Sequence, residues 1–342
     1  MGTKMIFPWK YTLLSLIILC SIMIISIGIG PVYISSFEIL KIVTYKLQII
    51  EIEKSWPQSF ESIILNIRMP RVFLAGIVGL ALSISGASYQ ALFKNPLADP
   101  YLLGIASGAA LSVTIVMTQF ENSSLITNFI PISAFSGAII CVTATYYIST
   151  KQHGSTNTLI LSGIAIASIT QACTSFLMLY SNPDLRPLLS WILGGFASAQ
   201  WDQILIIGPY ILISTVISIS ISKYFNLIQL NQEHSQQLGL NTQKIKLIIV
   251  INSSINTAAA VSFAGIIGFV GLICPHIIRN IFGGDYRNII PLSGIFGAIL
   301  LVLSDTISRT ILNPVEIPVG ILTALFGGPF FLYLLAKTKN QN

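Results

Sequence analysis

The sequence predicts an all-α integral membrane protein with ten transmembrane helices, and two observations lead to this fold class. First, 54% of the 342 residues are apolar and only 9% are charged, whereas a soluble domain carries about 25% charged residues. So few charged side chains cannot cover the surface of a soluble protein. Second, long charge-free windows separate the charged residues, and roughly 20 apolar residues in a helix cross a hydrocarbon core about 30 Å thick.

Nine such windows give the order of the predicted spans. They cover residues 11–37, 72–93, 100–120, 122–150, 152–183, 203–222, 247–278, 288–304 and 317–336. Three glycines and Pro275 interrupt the middle of the window 247–278, and apolar sequence continues beyond it to Gly284. We therefore divide this window into two short spans, which brings the number of predicted transmembrane helices to ten.

The basic residues predict how these spans are oriented. Lys4 and Lys10 precede the first span, and Lys337 and Lys339 follow the last. The positive-inside rule places both termini in the cytosol only if the number of spans is even. With ten spans, the cytosolic side holds eleven of the 18 basic residues. The net charge of +6 therefore reflects orientation in the membrane, and a nucleic-acid partner has no support. The first window has no small-x-small cleavage site, so we interpret it as a retained helix.

The whole chain, residues 1–342, is predicted to form a single transmembrane domain in which two connections are long. The first, at about residues 31–67, is predicted to be external and mixes Glu and Lys with Ile and Val, as an amphipathic segment on the membrane surface does. The second, at about residues 223–246, is polar and predicted to be cytosolic, with Gly239 as a plausible helix end.

The cysteines and histidines do not form a recognisable metal or catalytic motif. The four cysteines all lie in apolar spans without Cys-x-x-Cys spacing, which is typical of packing residues. Cys274 and His276 are one residue apart, so on a helix they point to different faces. His153 and His234 are placed in loops, and His276 has no acidic neighbour in its span. We predict no metal site, and an intramembrane enzyme lacks a paired catalytic set.

Three arginines, Arg68, Arg71 and Arg309, fall on the predicted external side, where the positive-inside rule disfavours them. Two interpretations remain open. They can anchor the helices at the interface by snorkelling, or they can form a docking surface for an acidic soluble partner, since arginine binds carboxylates with two parallel hydrogen bonds. Asp305 lies one helical turn before Arg309, and we expect the two to form an ion pair. Asp305 is also the one candidate for a proton relay in the spans.

A series of motifs along the chain resembles the FecCD-type permeases, the membrane subunits of ABC importers for iron-siderophores, haem and vitamin B12. The motifs are Arg68-Met-Pro-Arg71, Ser85-Gly-Ala-Ser-Tyr-Gln90, Asn95-Pro-Leu-Ala-Asp-Pro100, Ser107-Gly-Ala-Ala110, Leu161-Ser-Gly-Ile-Ala165, Ser190-Trp-Ile-Leu-Gly194, Gln237-Leu-Gly-Leu240, Gly268-Phe-Val-Gly-Leu272, Pro275-His276 and Pro318-Val-Gly-Ile321. The resemblance implies the type II ABC importer permease fold with ten helices. It also implies a homodimer in the cytoplasmic (inner) membrane of a bacterium, with the translocation path on the dimer axis and both termini cytosolic.

The resemblance further implies roles for individual residues. Arg68, Arg71 and Arg309 match the external arginines that bind glutamates of a substrate-binding protein. Asn95, Pro96, Leu97, Ser155 and Thr156 match the cytosolic gate. Glu233, Gln237, Leu238, Gly239 and Leu240 belong to the stretch that couples the permease to its ATPase, although this stretch is more polar than is usual in the family.

The source of energy must lie on another polypeptide, because the chain contains no GxxxxGK[ST] phosphate loop. We expect no cofactor in this chain, ATP and Mg²⁺ on two separate ATPase subunits, and transport rather than enzyme chemistry. Ferric siderophores are the first expected substrate class, followed by haem and vitamin B12. The alternative is an ion-coupled secondary transporter, which needs buried ionisable groups or broken helices at the midplane. Only Asp305 and the break in the window 247–278 favour it.

Overall fold

In the computed structural model, residues 9–48, 54–119, 126–152, 155–180, 185–230, 241–312 and 314–339 are described, and all regular elements in these ranges are helices. The α-helices are α1 (Trp9–Gly28), α2 (Ser36–Lys46), α3 (Gln58–Ser62), α4 (Met69–Phe93), α5 (Ile105–Gln119), α6 (Ile126–Lys151), α7 (Thr156–Tyr180), α8 (Leu185–Leu193), α9 (Trp201–Ser220), α10 (Ser222–Ile228), α11 (Thr242–Ala264), α12 (Val270–Phe282), α13 (Tyr286–Ser308) and α14 (Val319–Lys339). A π-helix (Ile63–Arg68) joins α3 to α4, and a 3₁₀ helix (Pro100–Leu103) precedes α5.

The long apolar helices coincide with the predicted spans. Among the described residues, seven helices are long and apolar enough to cross a membrane: Lys10–Gly28, Gln58–Phe93, Asn128–Lys151, Thr156–Tyr180, Trp201–Ser220, Thr242–Ala264 and Tyr286–Ser308. Three shorter apolar helices, Ile105–Gln119, Val270–Phe282 and Val319–Tyr333, fall in the remaining windows. The predicted all-α membrane fold with ten spans is confirmed.

Helix α4 lies at the centre of the bundle, where it packs against α13, α11 and α12. Small residues allow this close packing. A Cβ atom on Gly79 would collide with the backbone of Gly297 in α13, and one on Gly86 would collide with the backbone of Gly271 in α12. Glycines at such crossings let helix backbones approach closely, and van der Waals packing then stabilises the pair without help from the hydrophobic effect.

The predicted break in the window 247–278 lies between α11 and α12. Helix α11 ends at Ala264, and Gly265 adopts a positive φ of 68°, which glycine does at little cost. Phe269 has a positive φ of 69° just before α12 begins. Tyr101 satisfies buried backbone groups of the break, because its hydroxyl donates to the Ile267 carbonyl at 2.9 Å and accepts from the Ile267 N–H at 3.3 Å. The division of this window into two helices is therefore confirmed, but only the second is short: α11 has 23 residues and α12 has 13.

The predicted external segment contains α2. A capping box starts this helix, since the Ser35 hydroxyl accepts from the Glu38 N–H and the Glu38 carboxylate accepts from the Ser35 N–H. Ile39 and Ile42 are buried against the bundle, and Phe37 is exposed on another face. This is the amphipathic pattern that the sequence indicates, and its position on a membrane surface remains a prediction.

Candidate functional site

The three predicted arginines come together at the end of the bundle that is predicted to be external. Arg68 ends the π-helix, Arg71 lies in the first turn of α4, and Arg309 is the C-cap of α13. Their exposed fractions are only 5%, 7% and 4%. Because a buried charge is costly unless it is paired and hydrogen-bonded, the partners of these guanidinium groups decide what they can do.

Arg68 and Arg309 bind the C-terminal end of α1. Arg68 donates to the carbonyls of Ile27 at 3.0 Å, Gly28 at 3.1 Å and Val32 at 2.5 Å. Arg309 donates to the Ser26 carbonyl at 2.5 Å and to its hydroxyl at 2.8 Å. The last carbonyls of a helix have no partner within it and carry partial negative charge, so cations bind there favourably. These two arginines hold the largely exposed helix α1 to the bundle.

Arg71 lies between two carboxylates. Its Nε donates to Asp305 Oδ1 at 2.8 Å and Oδ2 at 3.1 Å, and its Nη1 donates to Glu316 Oε1 at 3.0 Å and Oε2 at 2.9 Å. Asp305 also lies 3.6 Å from Arg309 Nε, so the predicted Asp305–Arg309 ion pair is confirmed. Its shorter contacts are nevertheless with Arg71, which is 234 residues away in sequence. The single carboxylate of Asp305 is therefore shared by two arginines.

We call these five residues, Arg68, Arg71, Asp305, Arg309 and Glu316, the arginine layer. Three cations and two carboxylates leave one excess positive charge, which the carbonyls at the end of α1 partly balance. The two carboxylates differ sharply in exposure, because the Asp305 side chain is 1% exposed and the Glu316 side chain is 42% exposed. Arg71 therefore has an inner partner sealed in the protein and an outer partner in contact with solvent.

Sequence reasoning missed Glu316. It lies outside every motif, in the connection between α13 and α14, and it immediately precedes the last charge-free window. The available signal was its position: the predicted topology places it at the same end of the bundle as Arg71 and Arg309.

The predicted gate residues lie at the opposite end of the bundle. Asn95, Pro96 and Leu97 follow Lys94, which ends α4 in the left-handed conformation with a φ of 50°. The Asn95 side chain accepts from the Leu97 N–H at 2.9 Å and so shapes this turn. Ser155 precedes α7, and its hydroxyl accepts from the Thr158 N–H at 3.1 Å, which satisfies a free donor of the first turn. Thr156 is the first residue of α7.

The two predicted gate segments are connected through the 3₁₀ helix Pro100–Leu103. This helix packs against α7, where the Leu102 carbonyl lies against Gly163. The segment that follows Leu97 is therefore in contact with the helix that begins at Thr156. A gating role for these residues remains a prediction.

The predicted coupling residues Glu233, Gln237, Leu238, Gly239 and Leu240 lie outside the described residues. The chain that leads into this stretch is held in place. The Gln229 amide donates to the Ala91 carbonyl near the end of α4 at 2.9 Å, and Lys94 Nζ donates to the Leu230 carbonyl at 2.8 Å.

Helix α10 is also tied to the start of α13. The Asn226 amide donates to Asp285 Oδ1 at 2.7 Å and accepts from the Tyr286 N–H at 2.9 Å. We call Lys94, Asn226, Gln229 and Asp285 the α10 anchor.

Asp285 is the acidic member of the α10 anchor. It is the N-cap of α13, and its Oδ1 accepts from the Arg287 N–H at 3.0 Å while Oδ2 lies 2.6 Å from Arg287 Nη2. Burial raises the pKa of Asp285, but hydrogen bonds from Arg287 and Asn226 lower it by more, so the pKa lies below its ordinary value. The carboxylate is therefore ionised at neutral pH.

Among the residues that the structure describes, no group of three or more His, Cys, Asp or Glu side chains is placed to hold a metal ion. Cys141 and Cys274 are buried, as packing residues are, whereas Cys20 and Cys173 are exposed on the surface of the bundle.

Comparison with known proteins places this architecture among transport proteins. The sequence profile of the FecCD transport family matches residues 16–337. The hemin transport system permease protein HmuU of Yersinia pestis is 41% identical over 280 residues, which cover 81% of this chain and 84% of that protein. The cobalamin import system permease protein BtuC of Halobacterium salinarum is 39% identical over 280 residues, which cover 82% of this chain and 74% of that protein.

Two further similarities extend over almost the whole chain. The Fe(3+)-citrate import system permease protein YfmE of Bacillus subtilis is 36% identical over 330 residues, or 95% of this chain and 96% of that protein. A solved structure of a metal-chelate type ABC transporter in an inward-facing conformation superposes with a TM-score of 0.84 at 28% identity. This match covers 96% of this chain and 99% of the solved one.

Proposed function

This chain belongs to the FecCD transport family, and from this premise we propose that it is the membrane-spanning permease subunit of an ATP-driven importer of iron chelates. The observation that carries the proposal is the extent of the match, because the family profile covers residues 16–337. Nine of the ten apolar helices of the described chain lie within that range, and the first, Lys10–Gly28, lies largely within it. The proposed setting is the cytoplasmic membrane of a bacterium, with both termini in the cytosol and lipid around the bundle.

The substrate we propose is a ferric siderophore, with haem and vitamin B12 as the next classes. The relatives are named for hemin, cobalamin and ferric citrate. In each of these compounds a chelator already coordinates the metal. A permease for such a compound has to pass an intact chelate rather than coordinate a bare ion, so selectivity falls mainly to an external binding protein.

The proposed mechanism is alternating access driven from outside this chain. Two ATPase subunits bind ATP and Mg²⁺, and their closure moves the polar stretch that contains Glu233 and Gln237. The α10 anchor supports this route, because it connects the residues before that stretch to the ends of α4 and α13. Two copies of the permease then open alternately to the outside and the inside as their helices move as rigid bodies.

The proposed external partner is a substrate-binding protein that presents carboxylates to the arginine layer. The excess positive charge of the layer supports this pairing. The three arginines contribute differently to the proposal. Arg68 and Arg309 bind the end of α1, whereas Arg71 contacts a carboxylate that is itself exposed. Arg71 is therefore the arginine that a partner carboxylate reaches first, and the other two stabilise the layer.

Uptake by reconstituted proteoliposomes tests the proposal. The liposomes contain the permease with its ATPase, and the binding protein loaded with a ferric siderophore is added outside. We expect uptake to require internal ATP and to continue after ionophores have collapsed all ion gradients. A complex with a hydrolysis-deficient ATPase is the control and should show no uptake. Uptake driven by a gradient without the ATPase would contradict the proposal and favour the ion-coupled secondary transporter.

The substrate class is tested separately with the binding protein. A ligand that binds only the folded state raises the unfolding temperature by mass action. We expect a ferric siderophore to give a larger shift than hemin or cobalamin at equal concentration. The opposite order would mean that the proposed substrate class is wrong, but it would not contradict the proposed transport mechanism.

A further inference from the structure

The guanidinium group of Arg71 offers two separate edges to carboxylates. The Nε edge binds Asp305, whose side chain is 1% exposed, and the Nη1 atom binds both oxygens of Glu316, whose side chain is 42% exposed. The inner contact is sealed by the bundle. Of these two contacts, the one with Glu316 is therefore the one that a carboxylate from outside can reach.

Glu316 and Asp305 also differ in how the backbone holds them. Asp305 is part of the last turns of α13. Glu316 lies in the irregular connection that follows this helix, where its neighbour Ile317 donates to the Ser308 carbonyl at 3.1 Å. A side chain at such a place can rotate into solvent and be hydrated. Exposed ion pairs of this kind contribute little to stability, whereas removing one partner of a buried pair is strongly destabilising.

We propose that Glu316 is an internal competitor that occupies, in the undocked permease, the position on Arg71 taken by a carboxylate of the external binding protein on docking. This inference rests on the proposed function, because it assumes that an acidic partner binds the arginine layer. On docking, the partner carboxylate forms the hydrogen bonds to Arg71 Nη1, and Glu316 turns into solvent. When the binding protein dissociates, Glu316 binds Arg71 again.

The exchange keeps the buried charges paired in both states. If Arg71 had no outer carboxylate before docking, a nearly buried cation would keep only the single carboxylate that it shares with Arg309. With Glu316 in place, one carboxylate replaces another and the charge around Arg71 does not change. The competitor therefore weakens docking but makes dissociation easy, as a carrier that must leave after each delivery requires.

The test compares two substitutions that change the net charge equally. Glu316→Gln removes the competing charge with almost no change in shape. Asp202→Asn removes an exposed acid from the first turn of α9, at the same end of the bundle. The dissociation constant of the loaded binding protein is measured on the complete permease–ATPase complex in lipid nanodiscs, at low and at high salt.

We expect Glu316→Gln to tighten docking by about two- to fivefold, which is the order of a lost exposed ion pair. Asp202→Asn should change docking by less than about twofold, because, among the described residues, Asp202 forms no ion pair with the arginine layer and salt screens exposed charges. Glu316→Ala should shift docking in the same direction as Glu316→Gln. In uptake assays the KM for the loaded binding protein should fall by a similar factor for both Glu316 variants.

The possible failures can be told apart with Arg71→Lys, which keeps the charge but loses the fork that binds a carboxylate with two hydrogen bonds. If Arg71→Lys weakens docking and both Glu316 variants leave it unchanged or weaker, the competitor is refuted and docking at the layer stands. If all of these variants leave docking unchanged, docking at the arginine layer is refuted as well. Equal tightening by Glu316→Gln and Asp202→Asn shows a general charge effect and also overturns the competitor. If Arg71→Lys fails to assemble, the inference is still decided by comparing the dissociation constants of the two Glu316 variants with that of Asp202→Asn.

Discussion

The arginine layer and the α10 anchor lie at opposite ends of the bundle and hold their helices by different chemistry. In the layer, four of the five charged side chains are buried, and two arginines share Asp305. In the anchor, two of the four hydrogen bonds join neutral groups, the other two join a single charged group (Lys94 or Asp285) to a neutral partner, and all four are half-buried or exposed. Separating the layer would leave unpaired charges in a dry environment, whereas separating the anchor exposes groups that water can satisfy. The difference indicates that the helices at the arginine-layer end move together as a unit. Rearranging the helices at the α10-anchor end requires less free energy.

The strongest test of this comparison removes the shared carboxylate of the layer. Asp305→Ala leaves Arg71 with only its exposed partner and Arg309 with only the end of α1. Because breaking a buried ion pair leaves an uncompensated charge, we expect a loss of about 3–5 kcal/mol in the free energy of unfolding. Thermal unfolding of the purified permease in detergent measures it. Asp202→Asn serves as the control and should change stability by no more than about 0.5 kcal/mol. Equal stability of the two variants would show that the layer is not held by its buried charges.

The second test concerns the crossing of α4 and α12, which lies between the arginine layer and the α10 anchor. Gly86→Val places a side chain against the backbone of Gly271, so α4 and α12 must separate. Overpacking of this kind costs about 1–3 kcal/mol. Gly208→Val in α9 is the matched control, because a Cβ atom there has no neighbour within 4 Å. We expect a lower unfolding temperature for Gly86→Val than for Gly208→Val, and a reversed order would mean that the crossing is not tightly packed.

The order of the helices and the place of the break could be predicted from the sequence because both follow from local chemistry. Charge-free windows reflect the cost of charged groups in lipid, and the glycines around Gly265 permit the positive φ at the break. The residues of the arginine layer could be predicted only in part. Arg68, Arg71 and Arg309 stand out by their side of the membrane, but a pair such as Arg71–Asp305 depends on how α4 packs against α13. That packing is set by distant glycines rather than by residues next to the pair.

Glu316 shows why the rest of the site could not be predicted from the sequence. It belongs to no helix and to no motif, and a single acidic residue in a connection is typical of a solvated surface. Its contact with Arg71 exists only because the end of α13 brings the connection over the start of α4. The predicted docking, gating and coupling roles concern other states and other chains, so they remain proposals.

The third test weakens the α10 anchor. Asn226→Ala removes the hydrogen bonds to Asp285 and Tyr286 and leaves the Tyr286 N–H without this partner. We expect a cost of about 1–2 kcal/mol, smaller than that of Asp305→Ala. Because the anchor precedes the proposed coupling stretch, fewer substrate molecules should be transported per ATP hydrolysed. Gln243→Ala, at an exposed position of α11, is the control. Unchanged stability would show that the hydrogen bonds of the anchor are replaced by water, and an unchanged transport ratio would separate the anchor from coupling.

The smallest expected effect is the dependence of the anchor on pH. The pKa of Asp285 is lowered below its ordinary value of 3.8, so the ionised carboxylate stabilises the folded state. This contribution is complete above pH values near 3.8 and is lost as the pH falls through the lowered pKa. Asp285→Asn keeps much of the shape but does not ionise. The difference in unfolding temperature between the wild type and Asp285→Asn should therefore be constant from pH 7 to about pH 5 and should shrink below pH 4. A difference that stays constant to the lowest pH would mean that the charge of Asp285 does not hold α10 to α13, and the contrast between a charged layer and a hydrogen-bonded anchor would then be sharper still.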